Sequence, residues 1–382
     1  MAECIHPSTH PPLPPTTEDD RVSWLRLLRS RRVGIATFYR LLADHGSAQA
    51  ALAALPDVAR AAGLDTYQVC PEGVAIAEMR AARAAHARMI CIGEADYPTS
   101  LADIPDPPPF LWVIGQADVL HRPMIALVGA RNASSLGTRM ARGLAKDLSN
   151  QGFVVVSGLA RGVDTAAHQA SLDGGTIAVL AGGVDVMYPA ENTGLAGDIL
   201  KSGLRVSEQA MGVVPQARHF PVRNRIISGL SMAVVVIEAA AKSGSLITAR
   251  DALDQGREVM AVPGHPFDAR ASGCNMLIRD GARLIRNADD VIEALNYRPA
   301  PEPPHQSELP IIPTPPPEKR TLRETADLHS QILRQLGPSP VAEGQLIRDL
   351  SASANSISPA LIDLELDGKI RRQAGGMLSL VN

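Results

Sequence analysis

Three basic side chains in the sequence stand just past the ends of buried apolar segments. Arg131 follows "MIALVGA", Arg161 follows "VVVSGLA", and Lys242 follows "MAVVVIEAAA". Guanidinium and ammonium groups bind phosphate, and a glycine-containing turn that leads into a helix also offers free backbone N–H groups to an anion. Any one of these cations taken alone is explained as well by a solvated surface charge. Three such turns together indicate an anion-binding edge.

A second group of cations comes from "ARHFPVRNR", which supplies Arg218, His219, Arg223 and Arg225, and residues 209–237 contain no carboxylate. A nearly neutral domain with its cations gathered at one edge is typical of a groove that follows phosphates. Aromatic residues make up only 3% of the chain, so contacts with the phosphate backbone should dominate over base stacking. Phe220 is the best candidate for one stacked base.

Candidates for catalysis are few. His168 follows Asp164 by four residues near a predicted helix start, but no nucleophile accompanies the pair. We interpret Asp164 as a helix N-cap and His168 as a core or cap residue. Glu208 and Glu238, which end strands in polar turns, are the only other candidates for acid–base chemistry. Without a nucleophile, the sequence favours binding over catalysis.

The glycine-rich turns do not match the known nucleotide motifs. A dinucleotide fingerprint needs G-x-G-x-x-G after the first strand, whereas this chain has Gly129 and then Gly137. The Walker phosphate-binding motif is not matched either, because Ala241 precedes Lys242 where the motif has glycine and the required upstream glycine is missing. The four cysteines are far apart in sequence and form no C-x-x-C pair. We therefore expect no cofactor and no metal.

The elements that must position these residues alternate along the chain. Continuous apolar segments such as "MIALVG", "FVVVSG", "TIAVLAGG", "LRVSE", "MAVVVIE", "EVMAVPG" and "ARLI" are separated in most cases by helical patterns. This alternation predicts an α/β domain with a mostly parallel sheet covered on both faces. The carboxyl ends of parallel strands meet at one sheet edge, so Arg131, Arg161 and Lys242 should lie along one rim.

The rest of the chain divides around this domain. Residues 1–20 are predicted to be a disordered tail, and residues 21–88 a small helical domain in which Gly34 opens a helix after a basic turn. That turn is faintly similar to a helix-hairpin-helix, which offers backbone amides to DNA phosphates, but we favour ordinary small-bundle packing as its explanation. The α/β domain spans 97–297, a proline-rich linker 298–320, and a winged-helix-like domain 321–382. The third helix of that last domain carries Asp363, Glu365 and Asp367 and no cation, which argues against reading of duplex DNA.

Composition limits the compartment and the partners. The formal net charge is −3, so affinity for a polyanion must come from a local patch. The first residues are proline-rich and acidic, whereas a signal peptide would contain an apolar segment. The apolar segment "MAVVVIEAAA" is interrupted by Glu238 and is much too short to span a membrane. We expect a reduced, cytoplasmic protein that does not associate with a membrane.

Six ordered motifs, "SGLARGVDTAAH", "VLAGGVDVMYP", "SEQAMG", "FPVRNRIISGLS", "VVVIEAAAKSGSLITARDAL" and "AVPGHPFDARASGCNMLIRDGA", resemble the DprA (Smf) family of DNA-processing proteins of natural transformation. The resemblance covers residues 97–296. It implies an extended Rossmann-like core that binds and protects single-stranded DNA, helps load a RecA-type recombinase, and forms a homodimer. The end modules look like the sterile-alpha-motif-like (SAM-like) and winged-helix domains of some members. The resemblance implies no catalytic activity.

The family's DNA pocket carries over onto matching positions of this chain. The resemblance assigns Arg161 and Lys242 to the pocket, which the residue types had already selected. The other positions expected to contact DNA, in addition to Arg131, are Ser157, Gly158, Gly162, Asn224, Arg225, Ser243, Gly244 and Ser245.

The alternative to a DNA-binding protein is an enzyme, a Rossmann-like nucleotide hydrolase. Phosphoribohydrolase-like nucleotide hydrolases have a related sheet and a P-G-G-x-G-T-x-x-E motif with a catalytic Glu. The nearest segment here, "EAAAKSGSLITA", places its Glu before the glycine.

Overall fold

The computed structural model describes residues 13–297, 321–337, 339–350, 352–373 and 376–381. The chain divides into two compact units, one ending at residue 298 and the other beginning at residue 299. Most of the predicted tail and the predicted proline-rich linker at 298–320 lie outside the described residues. The helical region predicted at 21–88 belongs to the first unit and does not form a unit by itself.

Four helices open the first unit: α1 Glu18–Arg29, α2 Ile35–His45, α3 Ala48–Ala61 and α4 Glu72–Ala84. Helix α1 starts inside the predicted tail because Thr17 caps it. The Thr17 hydroxyl accepts from the Asp20 N–H at 3.1 Å, and the Asp20 carboxylate accepts from the Thr17 N–H at 3.1 Å. The expected disorder is therefore wrong for residues 18–20. Gly34 precedes α2, as the basic turn predicts.

A nine-stranded sheet forms the rest of the first unit. Its strands are β1 Arg88–Cys91, β2 Phe110–Gly115, β3 Met124–Val128, β4 Val154–Ser157, β5 Thr176–Val179, β6 Leu204–Ser207, β7 Ala233–Val236, β8 Glu258–Ala261 and β9 Arg283–Leu284. The helices between and after them are α5 Thr99–Ala102, α6 Ser135–Asn150, α7 Val163–Ala170, α8 Thr193–Ser202, α9 His219–Leu230, α10 Ser245–Asp254, α11 Ser272–Arg279 and α12 Ala288–Leu295. All seven apolar segments singled out in the sequence are strands.

The strand order is β1-β2-β6-β5-β4-β3-β7-β8-β9. All neighbouring strands from β6 to β9 are parallel, whereas the β1–β2 and β2–β6 pairs are antiparallel. From β3 the chain moves outward through β4, β5 and β6, then returns to place β7 on the other side of β3. Such a reversal of strand order is where ligands bind in open α/β sheets. The predicted mixed α/β fold with a mostly parallel sheet is confirmed.

Alternate side chains of the central strands pack on opposite faces of the sheet. Ile125 and Leu127 of β3 join a buried cluster formed with α6, α7 and α12. Ala126 and Val128 belong to a second cluster that continues through β1 and β2 into the N-terminal helices, where it includes Phe38. This shared core is why the N-terminal helices and the sheet form one unit.

The second unit contains helices α13 Leu322–Gln335, α14 Glu343–Asp349 and α15 Ala354–Leu366, and strands β10 Val341–Ala342, β11 Ile370–Gln373 and β12 Met377–Leu380. The predicted three helices and terminal hairpin are present, and β10 adds a third strand. Arg372 on the hairpin pairs with Glu343 at 2.6 Å and with Glu365 at 3.5 Å. Within the described part of the chain, no helix has both the length and the apolarity needed to cross a bilayer.

Candidate functional site

Three loops at the carboxyl ends of β3, β4 and β7 are joined through their backbones. Gly162 has φ +79°, and a Cβ there would collide with the carbonyl oxygens of Ala130 and Arg131. The Val163 N–H donates to the Ala130 carbonyl at 3.2 Å, and the Ala130 N–H donates to the Glu238 carbonyl at 2.7 Å. We call this continuous surface, formed by loops 129–134, 158–162 and 237–244, the rim.

Each rim loop carries one of the predicted cations in an exposed position. Arg131, Arg161 and Lys242 are all exposed. Arg161 makes an ion pair with Glu191, with 2.7 Å between Nη2 and Oε1, and both side chains are more than half exposed. Within the described residues, Lys242 has no ion-pair partner. The sheet topology therefore brings the three cations to one edge, as the parallel arrangement predicts.

Phe220, at the start of α9, lies against the rim but is only half-buried. The Arg131 guanidinium lies 4.9 Å from the centre of its ring, a distance suited to a cation–π contact. The Tyr188 ring lies 5.8 Å away on another side. The Arg223 guanidinium is also 6.0 Å from the centre of the ring. The ring proposed for base stacking thus already lies against three side chains, and its contact with Arg131 orients that cation.

Arg223 is a buried cation under the β4 loop whose role the sequence did not reveal. Its Nη1 donates to the Gly158 carbonyl at 2.8 Å and also to the Val179 carbonyl, so it ties together the ends of β4 and β5. A Cβ on Gly158 would collide with this guanidinium. Burial lowers the pKa of Arg223 to about 10, although the nearby Asp164 carboxylate opposes that shift. Arg223 is therefore still charged at pH 7.

Asp164 orders the β4 loop from its other side. Its carboxylate accepts from the Gly158 N–H at 3.1 Å and from the Ala160 N–H at 3.2 Å. The residue at the N-cap position of α7 is Gly162, so the predicted role of Asp164 as the N-cap is wrong. Burial raises the pKa of Asp164, and Arg223 opposes this shift. Asp164 holds the backbone that presents Arg161.

Asn224 and Arg225, the other positions predicted on α9, are buried. Arg225 donates from Nη2 to Glu208 at 2.6 Å and pairs through Nε with Asp106 at 3.0 Å. Burial raises the pKa of Glu208, and the Arg225 guanidinium opposes this shift. Both carboxylates occupy the Arg225 guanidinium, so its position does not support a contact with DNA at the rim.

The remaining acid–base candidates have structural partners. Glu238 accepts from the Ser134 N–H at 3.0 Å and from the Ser134 hydroxyl at 2.5 Å, at the N-terminus of α6. His168 is fully buried, with its Nδ1 2.8 Å from the Thr176 hydroxyl, and burial lowers its pKa to about 3. Negative charge at a helix N-terminus is stabilising, so Glu238 fits a packing role. No group of side chains suited to a metal ion is found in the described residues.

The predicted serines differ in availability. The Ser157 hydroxyl is buried and donates to the Leu127 carbonyl at 2.6 Å, so it is committed to the sheet. Ser243 lies on the rim and Ser245 is the first residue of α10, on either side of Gly244, with their hydroxyl oxygens 2.7 Å apart. Gly244 is exposed and precedes the first residue of α10. The Lys242 loop thus presents a cation, two hydroxyls and a helix start together.

Comparison with known proteins agrees with this geometry. Residues 88–296 match the family model described as DNA recombination-mediator protein A. The chain belongs to the DprA family. Residues 18–81 match the DprA-like N-terminal HHH domain, and residues 315–376 match the DprA winged helix domain. The family resemblance drawn from the six motifs is confirmed, and so is the winged helix.

Two curated relatives and two solved structures show how far the similarity extends. The chain is 46% identical over 212 residues to DNA processing protein DprA of Bacillus subtilis, covering 55% of this chain and 71% of that protein. It is 44% identical over 204 residues to protein Smf of Escherichia coli, covering 53% and 54%.

The structure of DprA from Streptococcus pneumoniae has a TM-score of 0.54 and 33% identity to this chain, covering 70% of this chain and 100% of that one. A structure of Helicobacter pylori DprA, described for its single-stranded DNA binding mode, has a TM-score of 0.52 and 29% identity, covering 56% and 99%. Each match covers all or nearly all of the solved chain.

Proposed function

We propose that this DprA family member binds single-stranded DNA along the rim without sequence preference, and that it takes part in DNA processing during DNA uptake and recombination. The observation that carries the proposal is the exposure of Arg131, Arg161 and Lys242 on three loops fixed to one another at the point where strand order reverses. The single-stranded DNA binding described for the H. pylori relative supports the same ligand.

The absence of sequence preference follows from the chemistry of the rim. Its cations, hydroxyls and backbone N–H groups suit phosphate oxygens, and contacts to phosphate carry no direct sequence information. Phe220 is in contact with Arg131 and Tyr188, so it provides little open ring for reading a base. Affinity should therefore depend strongly on salt and weakly on base composition.

A salt titration tests the proposal. For the full chain and an oligo-dT strand, the logarithm of the association constant should fall linearly with the logarithm of the salt concentration. The slope should be about 0.7 per phosphate neutralised. Arg161→Ala and Lys242→Ala should each lower the slope by about 0.7 to 1 without changing base preference.

The matched control is Arg60→Ala. Arg60 is as exposed as Arg161 and also pairs with a carboxylate, Asp57, but it lies on α3. The control should leave the slope unchanged. Unchanged slope and affinity in both rim variants would locate DNA binding elsewhere and refute the proposal.

We further propose that a RecA-type recombinase is a partner and that the chain forms a homodimer through its Rossmann-like domain. Both are implied by the family resemblance, and membership of the DprA family supports them. Sedimentation velocity of the full chain tests the dimer, which predicts a species of twice the chain mass that dissociates on dilution. Co-sedimentation with recombinase on oligo-dT tests the partner, and no recombinase above the DNA-only level would reject it.

A further inference from the structure

A fourth loop, residues 262–271, leaves the same edge of the sheet after β8 and carries the most exposed aromatic ring in the described residues. The Phe267 side chain is 94% exposed. The His265 ring, also exposed, lies 5.6 Å from it in a tilted arrangement. Burial of an exposed Phe side chain is favourable, so a flat partner that covers this ring would be stabilised.

The loop that presents Phe267 is held by its own hydrogen bonds. Gly264 and Asn275 exchange two of them, with N···Oδ1 at 3.1 Å and Nδ2···O at 2.9 Å. The Arg270 guanidinium donates to both carboxylate oxygens of Asp268 at 3.0 and 3.1 Å. A ring on an ordered loop loses less conformational freedom on binding than one on a loose segment.

This loop and the start of α11 are attached to the Lys242 loop. The Ala241 N–H donates to the Ser272 hydroxyl at 3.0 Å, and the Gly273 N–H donates to the Ala239 carbonyl at 2.7 Å. The attachment continues the β7–β8 pairing, in which Val236 lies opposite Ala261. Phe267 is therefore carried on the loop next to Lys242, a rim cation that, like Arg131, has no ion-pair partner within the described residues.

Resting on the proposed function, we propose that Phe267, supported by His265, is a stacking platform for a base of the strand whose phosphates contact Lys242. A nucleobase is the occupant that suits an exposed flat ring beside a phosphate-binding cation, since every base has a π-face. The nearest carboxylate on the loop, Asp268, is neutralised by Arg270 and does not repel a strand. Phe267, not Phe220, supplies the open ring.

Fluorescence of a Phe267→Trp variant of the full chain tests this directly. Both native tryptophans, Trp24 and Trp112, are at least 96% buried and will not contact DNA. Oligo-dT should quench the new tryptophan, whereas an abasic deoxyribose-phosphate strand of the same length should not. Phe267→Ala should weaken oligo-dT binding about 5-fold or more and leave binding of the abasic strand unchanged. Val74→Ala, an exposed apolar residue on α4, should change neither.

The outcomes separate this inference from the proposed function. If the unmodified chain binds oligo-dT but Phe267→Ala binds equally well and the tryptophan is not quenched, the platform is wrong and the rim proposal stands. If the unmodified chain fails to bind oligo-dT, both are wrong. If Phe267→Ala instead changes the sedimentation coefficient while oligo-dT binding is kept, the ring contacts a second copy of the chain and the platform is wrong.

Discussion

The ion pair between Arg161 and Glu191 makes a specific prediction about affinity. If the rim binds DNA as proposed, Glu191 competes with phosphate for the Arg161 guanidinium. The neighbouring Asn192 holds the two segments together by donating to the Leu159 carbonyl at 2.9 Å. The two charged side chains are 64% and 60% exposed, and exposed pairs contribute about 0 to 1 kcal/mol. Glu191→Gln should release the guanidinium and strengthen binding of oligo-dT by up to about 5-fold.

A double-mutant cycle with Arg161→Ala isolates the cause. Fluorescence anisotropy with labelled oligo-dT at low salt gives the four dissociation constants. In the Arg161→Ala background, Glu191→Gln should give a smaller gain, because only the general effect of removing a negative charge remains. Asp57→Asn, which breaks the equally exposed pair with Arg60, should leave affinity unchanged. An equal gain in both backgrounds, or weaker binding by Glu191→Gln, would refute the competition.

Three further predictions concern stability and the second unit. Arg223→Met should lower the free energy of unfolding by about 3 to 5 kcal/mol in urea titrations, because it leaves Asp164 and two strand-end carbonyls without their buried cation. Burial raises the pKa of Asp251 from 3.8 to about 6, so the folded chain keeps a proton that the unfolded chain releases, and stability is lost as pH rises from about 4 to 6. Asp251→Asn should therefore stabilise the chain at pH 7 by about 1 kcal/mol, allowing for partial exposure, and by much less near pH 4. Deletion of residues 318–382 should leave single-stranded DNA binding largely intact in gel shifts, because the exposed face of α15 is acidic.

Each of these predictions has a clear contrary result. A loss below about 1 kcal/mol for Arg223→Met would mean that the guanidinium does not hold the strand ends. A stabilisation by Asp251→Asn that is the same at pH 4 and pH 7 would exclude the raised pKa as its cause. A large loss of affinity on deletion would place part of the single-stranded DNA site in the second unit. Circular dichroism of the truncated chain provides the folding control.

The sequence predicts the sheet well because parallel strands are buried on both faces. Continuous apolar segments mark β3, β4, β5, β7 and β8, whereas β6 includes Arg205 and the edge strand β9 is exposed. The meeting of carboxyl ends at one edge follows from the parallel arrangement. The edge strands β1 and β10 are not among the predicted segments, although residues 89–91 of β1 are apolar and buried. They are defined by pairing with β2 and β12, and no local signal shows which partner a short edge strand will find.

The predicted site was less accurate where burial decides a role. In "RNR", both arginines lie on α9 and both are buried, but one ties strand ends together and the other pairs with Glu208 and Asp106. Their sequence context does not distinguish these environments, since the partners are distant in the chain. The same limit applies to Phe220 and Phe267, because the loops that pack against each ring decide that Phe220 is half-buried and Phe267 exposed.

The close contact of Gly162 with the backbone of residues 130 and 131 has a consequence for how this surface varies. A side chain at that glycine, or a residue inserted on either side of the contact, would push the first loop off its hydrogen bond with Glu238 and so disturb the third. A side chain or an insertion at this contact would therefore disturb all three loops together. Exchanging a single loop between homologues would break the backbone contacts among residues 130, 162 and 238 unless the new loop reproduced them.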